Sequence, residues 1–402
     1  MADPSRVRVS GPVEPFVSGF GMELARLGFT ANSAGLQMGV VAHLSRWLAG
    51  QGLPVGALDD VVVERFCEAR RADGYTAYLT PRALVHLLAY LRGLGVVAPA
   101  GVRVADGPAE ELLERFGAYL AVERGLVEDV VAGYAHAARP FVESVCGPGG
   151  IGLDRLDGTV VIAFVVEHVP RLSPKVASLT VTALRSLLRY LHLEGAITRP
   201  LAEVVPSVAS PRLATLPKRL EPDQVRALLA VCDLDSVVGR RDLAILTLLA
   251  RFGLRACEVA GLLLDDIDWR RGEIVVHGKG RAQRLPLPAD VGEVIAGYLR
   301  DGRPESARGR AVFVRVKAPH RQLASARVSG IVADAARRAG LGRVHAHRLR
   351  HTAASEILRA GGSLPEIGHL LGHRRVATTA IYAKVDRERL REIALPWPGC
   401  SR

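Results

Sequence analysis

The second half of the chain holds a histidine and an arginine at a spacing suited to phosphate chemistry. His347 and Arg350 are three residues apart, which places their side chains on one face of a helix. A guanidinium neutralises the non-bridging oxygens of a phosphodiester, and an imidazole donates or accepts a proton near neutral pH. His351, four residues after His347, leaves open the alternative of a histidine pair that binds metal, although no HExxH motif accompanies it.

A second histidine and a tyrosine follow further along the chain. His373 ends the sequence Leu-Leu-Gly-His, and Tyr382 comes nine residues later. A tyrosine hydroxyl with a pKa of about 10 becomes a nucleophile when positive groups stabilise its phenolate. The arginines and histidines would supply that environment. Taken alone, Tyr382 is better explained as an aromatic side chain packed at a helix end, but it does not stand alone.

A lysine stands between two glycines in a chain whose basic residues are almost all arginine. Only five of the 53 basic residues are lysine, and Lys279 lies between Gly278 and Gly280. Lysine can give up its proton where arginine cannot, so Lys279 could act as a general acid towards an alkoxide leaving group. The alternative is a solvated lysine at the tip of a turn.

An arginine and a glutamate follow the glycine that ends an apolar run. Arg255 comes two residues after Gly253, and Glu258 lies three residues further on. If a helix begins there, the carboxylate can hold the guanidinium by a bidentate hydrogen bond and fix its direction. The alternative is an ion pair that serves structure only.

The elements that must position these residues belong to a mostly helical segment that begins near Lys218. Proline and acidic residues mark a helix start, and short β-branched runs around glycines mark a hairpin. The predicted elements are a helix opening at Glu221, a buried helix over Arg240–Phe252, strands over Ile274–His277 and Arg284–Leu287, and three or four further helices between Ala289 and Arg391.

The first half of the chain predicts two copies of one helical module. Leucines recur with helical spacing in both copies, at a constant offset of 100 residues. The matched pairs are Leu84 and Leu184, Leu87 and Leu187, Leu88 and Leu188, Tyr90 and Tyr190, Leu91 and Leu191, and Gly95 and Gly195; upstream, at an offset of 98, Leu58-Asp59 matches Leu156-Asp157. The alternative is that helical segments rich in alanine and leucine align by chance.

Two stretches rich in proline, glycine and alanine predict linkers, over Ala98–Ala109 and Arg199–Pro217. They divide the chain into an N-terminal helical module (1–100), a second helical domain (107–200), a linker (201–217) and a third domain (218–402).

Composition narrows the class of protein. Of the 402 residues, 49% are hydrophobic and 23% charged, which is typical of a globular protein and excludes wholesale disorder, collagen and coiled coil. Five scattered cysteines without a CxxC motif indicate a reducing cytosol and no zinc site. The sequence has neither a secretory signal nor an apolar run long enough for a membrane span, so we expect a cytoplasmic protein without membrane contact.

The net charge of +12 is unevenly divided. Residues 1–217 contain 20 basic and 21 acidic side chains, whereas residues 218–402 contain 33 and 20. A uniform genomic preference for arginine would not produce that division. The positive half is therefore predicted to bind a polyanion such as nucleic acid.

Together, these residues resemble the tyrosine recombinase, or phage integrase, family. The shared pattern is GLRxxE, a hairpin lysine, HxLRHT, LGH and a tyrosine nine residues later, and it covers roughly residues 218–390. No position of the pattern departs from the family. The matching residues are Arg255, Glu258, Lys279, His347, Arg350, His373 and Tyr382.

The resemblance implies a role for each of these residues. Tyr382 would attack a DNA phosphodiester and form a 3′-phosphotyrosyl bond, releasing a 5′-hydroxyl. Arg255, Arg350 and His373 would bind the non-bridging oxygens. Lys279 would protonate the leaving 5′-oxygen, His347 would take the tyrosine proton and Glu258 would buttress the site.

The resemblance also implies a fold and partners. We expect a mainly α protein, with tandem helical SAM-like DNA-binding modules followed by a mostly α-helical catalytic domain that contains a small antiparallel β-sheet. The partners would be double-stranded DNA with a specific recombination site, three further copies of the chain in a homotetramer on two duplexes, and accessory DNA-bending or directionality proteins. Strands would be exchanged through a Holliday junction without ATP, metal or cofactor, at the bacterial nucleoid.

Two segments bear on this expectation. A charged tail helix over Lys384–Ile393 would dock on the neighbouring subunit, as in relatives. The first helical module stands where many integrases have a sheet-containing arm-binding domain, and we expect it to extend the DNA footprint or to contact another subunit.

Three alternatives share parts of the pattern. A type IB topoisomerase uses similar Arg, Lys, His and Tyr chemistry, but the LGH motif and the tail helix favour a recombinase. A telomere resolvase is a more remote enzyme of the same chemistry. A non-catalytic DNA-binding protein derived from an integrase is the third alternative, and the complete residue set argues against it.

Overall fold

The computed structural model of the chain describes residues 7–99, 107–147, 150–153, 156–207, 219–278, 281–372, 379 and 382. Within these ranges the fold is mainly helical, with one three-stranded and one two-stranded antiparallel sheet. The expected fold class, helical modules followed by a mostly helical domain with a small sheet, is therefore confirmed.

Four helices form the first module around one apolar core. They are α1 (Val17–Arg26), α2 (Ala31–Gly50), α3 (Asp60–Ala72) and α4 (Val85–Gly93). Thr30 and Asp59 begin α2 and α3 by accepting the backbone N–H of Ser33 and Val62. Such caps satisfy N–H groups that have no partner inside the helix and contribute about 1 kcal/mol each.

The second module has four helices and a small hairpin around a separate core. The elements are α5 (Pro108–Val122), α6 (Glu128–Val145), the paired strands β1 (Cys146–Gly147) and β2 (Gly150–Ile151), α7 (Gly158–His168) and α8 (Pro174–Leu193). The hairpin lies between α6 and α7, in a stretch for which the sequence pattern predicted no strand.

The residue pairs of the predicted repeat occupy equivalent positions in the two modules. All four leucine pairs are buried, on or immediately before α4 in the first module and on α8 in the second. Gly95 and Gly195 follow these helices with φ of 70° and 71°, a left-handed conformation that favours glycine. Asp59 and Asp157 cap α3 and α7 through the same hydrogen bond to the backbone three residues on.

The second module continues past residue 200, into the stretch predicted as linker. A short 3₁₀ helix over Leu201–Glu203 follows α8, and Leu201, Ala202 and Val205 are each at most 4% exposed. Prolines on both sides suggested an extended segment, but the apolar side chains between them pack against α8. The second module therefore extends at least to Val205, past the boundary at residue 200 that we expected.

The third segment begins with three helices that lead to the candidate site. These are α9 (Pro222–Ala230), α10 (Val237–Phe252) and the short α11 (Ala256–Ala260). Gln224 accepts the backbone N–H of Glu221, so the expected helix start at Glu221-Pro222 is confirmed. Most of α10 is buried, as its apolar sequence predicts.

A three-stranded antiparallel sheet follows in the order β3 (Ile267–Asp268), β4 (Glu273–Gly278) and β5 (Arg281–Pro286). In β4 and β5, Val275 pairs with Arg284 and Gly278 with Arg281, which is the predicted hairpin. The inward side chains Ile274, Val276 and Leu285 join the core of this segment.

Four helices complete the described part of this segment: α12 (Ala289–Asp301), α13 (Ser325–Arg338), α14 (Ala346–Arg359) and α15 (Leu364–Leu370). Of these, α12, α13 and α14 contact α10, and α15 packs on α14. The predicted tail helix over Lys384–Ile393 lies outside the described residues.

The chain divides into two compact units, residues 101–214 and the combination of 1–100 with 215–402. In the combined unit, the turn after α1 contacts the third segment: a Cβ atom at Gly28 would lie 2.6 Å from the His320 ring. None of the helices in the described ranges is long and apolar enough to cross a membrane.

Candidate active site

The site is built around the end of α10. Gly253 ends this helix with φ of 62°, and its amide donates to the carbonyl of Leu249. A Cβ atom here would lie 2.9 Å from Leu371 Cδ2 and 3.1 Å from the Cβ of Ala353, so both the conformation and the space require glycine. The turn brings the next residues to the start of α11.

Arg255 occupies the N-cap position of α11, and Glu258 holds it in two ways. One carboxylate oxygen accepts the guanidinium Nη1 at 2.6 Å, and the other accepts the Arg255 backbone N–H at 2.7 Å. The predicted contact is present but does not hold the guanidinium in a bidentate manner, because the helix start also requires an acceptor for its first amide. Glu258 is buried, whereas the Arg255 side chain is 39% exposed and can reach a ligand.

Arg350 enters the site from α14 and is almost completely buried, with 2% exposure. Its guanidinium donates to the carbonyl of Gly253 at 2.8 Å and to the carbonyl of Leu371. Burial, and then the charge of Arg255, lower the pKa of Arg350 to about 10, so it remains positive at neutral pH. Two fixed carbonyls thus orient a buried cation whose other N–H groups can bind an anion.

Tyr382 is 1% exposed and contacts a histidine of α14. Its Oη lies 3.0 Å from Nδ1 of His351, and the two ring centroids are 5.6 Å apart. The tyrosine belongs to a small apolar cluster with Ala354, Leu358, Ile367 and Leu371. Burial raises the pKa of Tyr382, and the nearby Arg350 partly opposes that rise.

The two histidines of α14 have different surroundings. Their ring centroids are 4.6 Å apart in an edge-to-face arrangement. His347 is exposed to solvent, but partial desolvation, with the charges of Arg350 and Arg255, lowers its pKa. His351 is less exposed, and burial with the neighbouring His347 and Arg350 lowers its pKa to about 4. Both rings are therefore neutral at pH 7.

The structure thus brings together Arg255, Glu258, His347, Arg350 and Tyr382 of the predicted set. Lys279 and His373 lie outside the described residues. Residues near them in the sequence are in contact. Gln283 of β5, four residues after Lys279, donates to the carbonyl of His369 in α15, four residues before His373, at 2.9 Å. The hairpin that carries Lys279 and the helix that precedes His373 therefore lie next to each other.

Sequence reasoning missed the contact between His351 and Tyr382. The histidine is the fifth residue of the motif His347-Arg-Leu-Arg-His351, and the motif suggested for it only a part in a metal pair. Among the described residues, no group of three or more His, Cys, Asp and Glu side chains could hold a metal ion. The edge-to-face packing of the two rings also differs from two nitrogens converging on one ion.

The low pKa of His351 predicts a loss of stability in acid. An unfolded histidine titrates near 6.5, so protons bind preferentially to the unfolded chain as the pH falls from about 6.5 to about 4. The full shift would amount to about 2 kcal/mol at pH 5, which partial exposure of the ring reduces to about 1 kcal/mol. Between pH 7.5 and pH 5, urea denaturation should show a loss of stability that is about 1 kcal/mol larger in wild type than in His351→Gln, because other histidines with lowered pKa values remain in the variant. Exposed His136→Gln is the control, and equal pH dependence in all three proteins would contradict the prediction.

Comparisons with known proteins identify the family of the chain. Residues 218–389 match the model of the phage integrase family. Over 399 residues the chain is 39% identical to integrase/recombinase y4rA of Sinorhizobium fredii (strain NBRC 101917 / NGR234). This alignment covers 97% of this chain and 95% of the relative. It is also 33% identical over 292 residues to tyrosine recombinase XerC of Shewanella amazonensis. That alignment covers 70% of this chain and 93% of the relative.

Solved structures share the fold. XerH site-specific recombinase bound to a palindromic difH substrate matches with a TM-score of 0.54 and 20% identity, over 72% of this chain and 96% of that chain. A lambda integrase tetramer bound to a Holliday junction matches with a TM-score of 0.52 and 17% identity, over 74% and 85%. The chain belongs to the phage integrase family of tyrosine recombinases. It is a site-specific DNA recombinase.

Proposed function

We propose that this recombinase cuts and rejoins DNA through a covalent 3′-phosphotyrosyl bond at Tyr382 and exchanges strands between two duplexes through a Holliday junction. The observation that carries the proposal is the arrangement around Tyr382. Its hydroxyl lies 3.0 Å from Nδ1 of His351, whose ring packs against that of His347, and the positive charge of the buried Arg350 acts on it, with Arg255 on the neighbouring α11. A nucleophile, proton acceptors and cations are the groups that phosphodiester cleavage requires.

In the proposed reaction, Arg350 and Arg255 bind the non-bridging oxygens of the scissile phosphate, with His373 adding a hydrogen bond. Tyr382 Oη attacks phosphorus, its proton passes to a neighbouring imidazole, and the bond from phosphorus to the 5′-oxygen breaks. The leaving oxygen takes a proton from Lys279. Charge on the phosphate oxygens rises in the transition state, so fixed cations stabilise that state more than the substrate.

The covalent bond makes strand exchange independent of ATP. A phosphotyrosyl ester conserves the energy of the broken phosphodiester, so a 5′-hydroxyl from a second duplex can attack it and restore an intact strand. We propose that four copies act on two duplexes, as the tetramer of lambda integrase does on its Holliday junction. Each copy would recognise a specific site in double-stranded DNA, and accessory DNA-bending proteins would set the direction.

Covalent capture tests the proposal and identifies the target site in the same experiment. A pool of duplexes with randomised cores and a nick in one strand is incubated with the full-length protein. After cleavage, the short fragment next to the nick diffuses away and cannot religate. DNA that remains attached to protein in detergent is amplified and sequenced. We expect a defined sequence to be enriched, and the absence of any covalent adduct would contradict the proposal.

The captured site then distinguishes a recombinase from a topoisomerase. Two intact duplexes that carry the site should give four-way junctions and exchanged products. Relaxation of supercoiled plasmid without junctions would instead indicate topoisomerase-like rotation about the cut strand.

A further inference from the structure

The mechanism above does not name the imidazole that takes the proton of Tyr382, and His351 contacts the hydroxyl of this tyrosine directly. The Nδ1···Oη distance of 3.0 Å is within the range for a hydrogen bond. Resemblance to the family gives the tyrosine proton to His347. The structure places a second imidazole, four residues further along the same helix, against the hydroxyl itself.

The protonation states of the two groups suit a hydrogen bond from Tyr382 Oη to His351 Nδ1. Burial keeps Tyr382 protonated at neutral pH, because it raises the pKa of the phenol. His351 is neutral at the same pH, because burial and the neighbouring His347 and Arg350 disfavour its charged form. In the tautomer whose ring proton lies on Nε2, Nδ1 accepts the hydrogen bond that the neutral phenol donates. This pair is the starting arrangement of general-base catalysis.

The neighbour His347 is placed for a different task. It is exposed, and the charges that act on it are those of Arg350 and Arg255, the two proposed phosphate ligands. An exposed, neutral imidazole beside both guanidiniums can donate a hydrogen bond to the phosphate. The less exposed ring of His351 instead meets the tyrosine, and Arg350 lies near both groups.

We propose that His351, through Nδ1, is the general base that takes the phenolic proton of Tyr382 during DNA cleavage, and that His347 contacts the phosphate. The inference rests on the proposed phosphotyrosyl chemistry. As Oη forms its bond to phosphorus, the O–H bond breaks and the proton moves to Nδ1. In the reverse step, the 5′-hydroxyl gives its proton to the neutral amine of Lys279 as it attacks phosphorus, and the imidazolium returns its proton to Oη as the phosphotyrosyl bond breaks.

The side chain of asparagine separates proton transfer from mere positioning. In His351→Asn, the amide oxygen can take the place of Nδ1 and accept the same hydrogen bond, but it cannot take the proton at neutral pH. A residue that only holds the tyrosine would therefore tolerate this change. Loss of a general base typically slows a reaction by about 100- to 10,000-fold, and we expect His351→Asn to slow single-turnover adduct formation by at least about 100-fold.

Two chemical substitutions show whether His351→Asn slows proton removal from Tyr382 or protonation of the leaving group. Fluorinated tyrosine at position 382 has a more acidic phenol, so its reaction depends less on a base. It should raise the rate of adduct formation by about tenfold or more in His351→Asn, relative to its effect on the rate of wild type. A substrate with sulfur at the 5′-bridging position needs no acid for its leaving group. It should rescue Lys279→Ala and leave the defect of His351→Asn unchanged.

The outcomes distinguish this inference from the proposed function. If wild type forms no adduct, the phosphotyrosyl mechanism itself fails. If wild type forms an adduct at Tyr382 and His351→Asn cleaves within about threefold of it, only the role of His351 is overturned. Faster cleavage by His351→Asn also overturns that role, because the hydrogen bond would then hold the tyrosine in a resting state.

Folding is checked by thermal unfolding and by binding to the captured duplex. His351→Gln, which fills more of the ring's volume, serves as a second variant and should be at least as slow. Wild-type rates from His351→Gln would contradict the proposal even where the asparagine variant unfolds.

Discussion

Replacement of Tyr382 by phenylalanine should abolish covalent DNA capture and leave DNA binding intact. The change removes the one oxygen that forms the proposed bond to phosphorus, and keeps the ring that packs with Ile367 and Leu371. Loss of a catalytic nucleophile costs about 10,000-fold or more in rate. The hydrogen bond to His351 is lost as well, at about 1 kcal/mol of stability. We therefore expect a folded protein that binds the captured duplex and forms no adduct in detergent.

Tyr298→Phe provides a matched control. Tyr298 is also a buried tyrosine, with 1% exposure, and its hydroxyl accepts a backbone N–H from Val314 at 3.4 Å. Tyr298 lies on α12, packs on Phe313 and takes no part in the site. This variant should lose a similar hydrogen bond and keep full adduct yield. If Tyr382→Phe still forms the adduct, another residue is the nucleophile.

Replacement of Arg350 by lysine should slow cleavage by about 100- to 1,000-fold, the usual cost of losing one preorganised donor to a developing anion. The charge is conserved, but a lysine ammonium is flexible and not planar. It cannot donate to the carbonyls of Gly253 and Leu371 and bind a phosphate at the same time, as the planar guanidinium can. A buried carbonyl left without a donor costs about 1–3 kcal/mol. We expect lower stability and a rate defect that persists at saturating DNA.

Arg348→Lys is the control for this prediction, since it lies on the same helix two residues away. Its guanidinium donates to the carbonyl of Arg219 at 3.3 Å, away from the tyrosine. Single-turnover rates measured at saturating DNA should stay within about threefold of wild type. Equal defects in the two variants would indicate that general damage to α14, and not loss of a phosphate ligand, explains the effect.

The local parts of the site follow from the sequence because they depend on contacts within one turn. Arg255 and Glu258 meet because a helix begins between them, and their spacing specifies that geometry. The leucines of the two helical modules are buried as their helical spacing predicts. The hairpin follows from a glycine-bounded turn after the β-branched run Ile274–Val276. In each case the interacting residues are close in sequence.

The segment after residue 200 shows where local rules fail. Prolines there indicate an interruption of helix, and that was the basis for a linker over 201–217. The burial of Leu201 and Val205 depends instead on an apolar surface of α8, which composition around the prolines does not reveal.

By itself, the sequence determined the family, the helical modules, the concentration of positive charge in the half with the site, and the residue types that the chemistry requires. Only the tertiary structure decided which imidazole meets Tyr382. His347 and His351 share a helical face, so spacing cannot choose between them. The choice depends on how a tyrosine 31 residues away packs on α14. The burial of Arg350 has the same origin, because its carbonyl partners Gly253 and Leu371 lie 97 and 21 residues away.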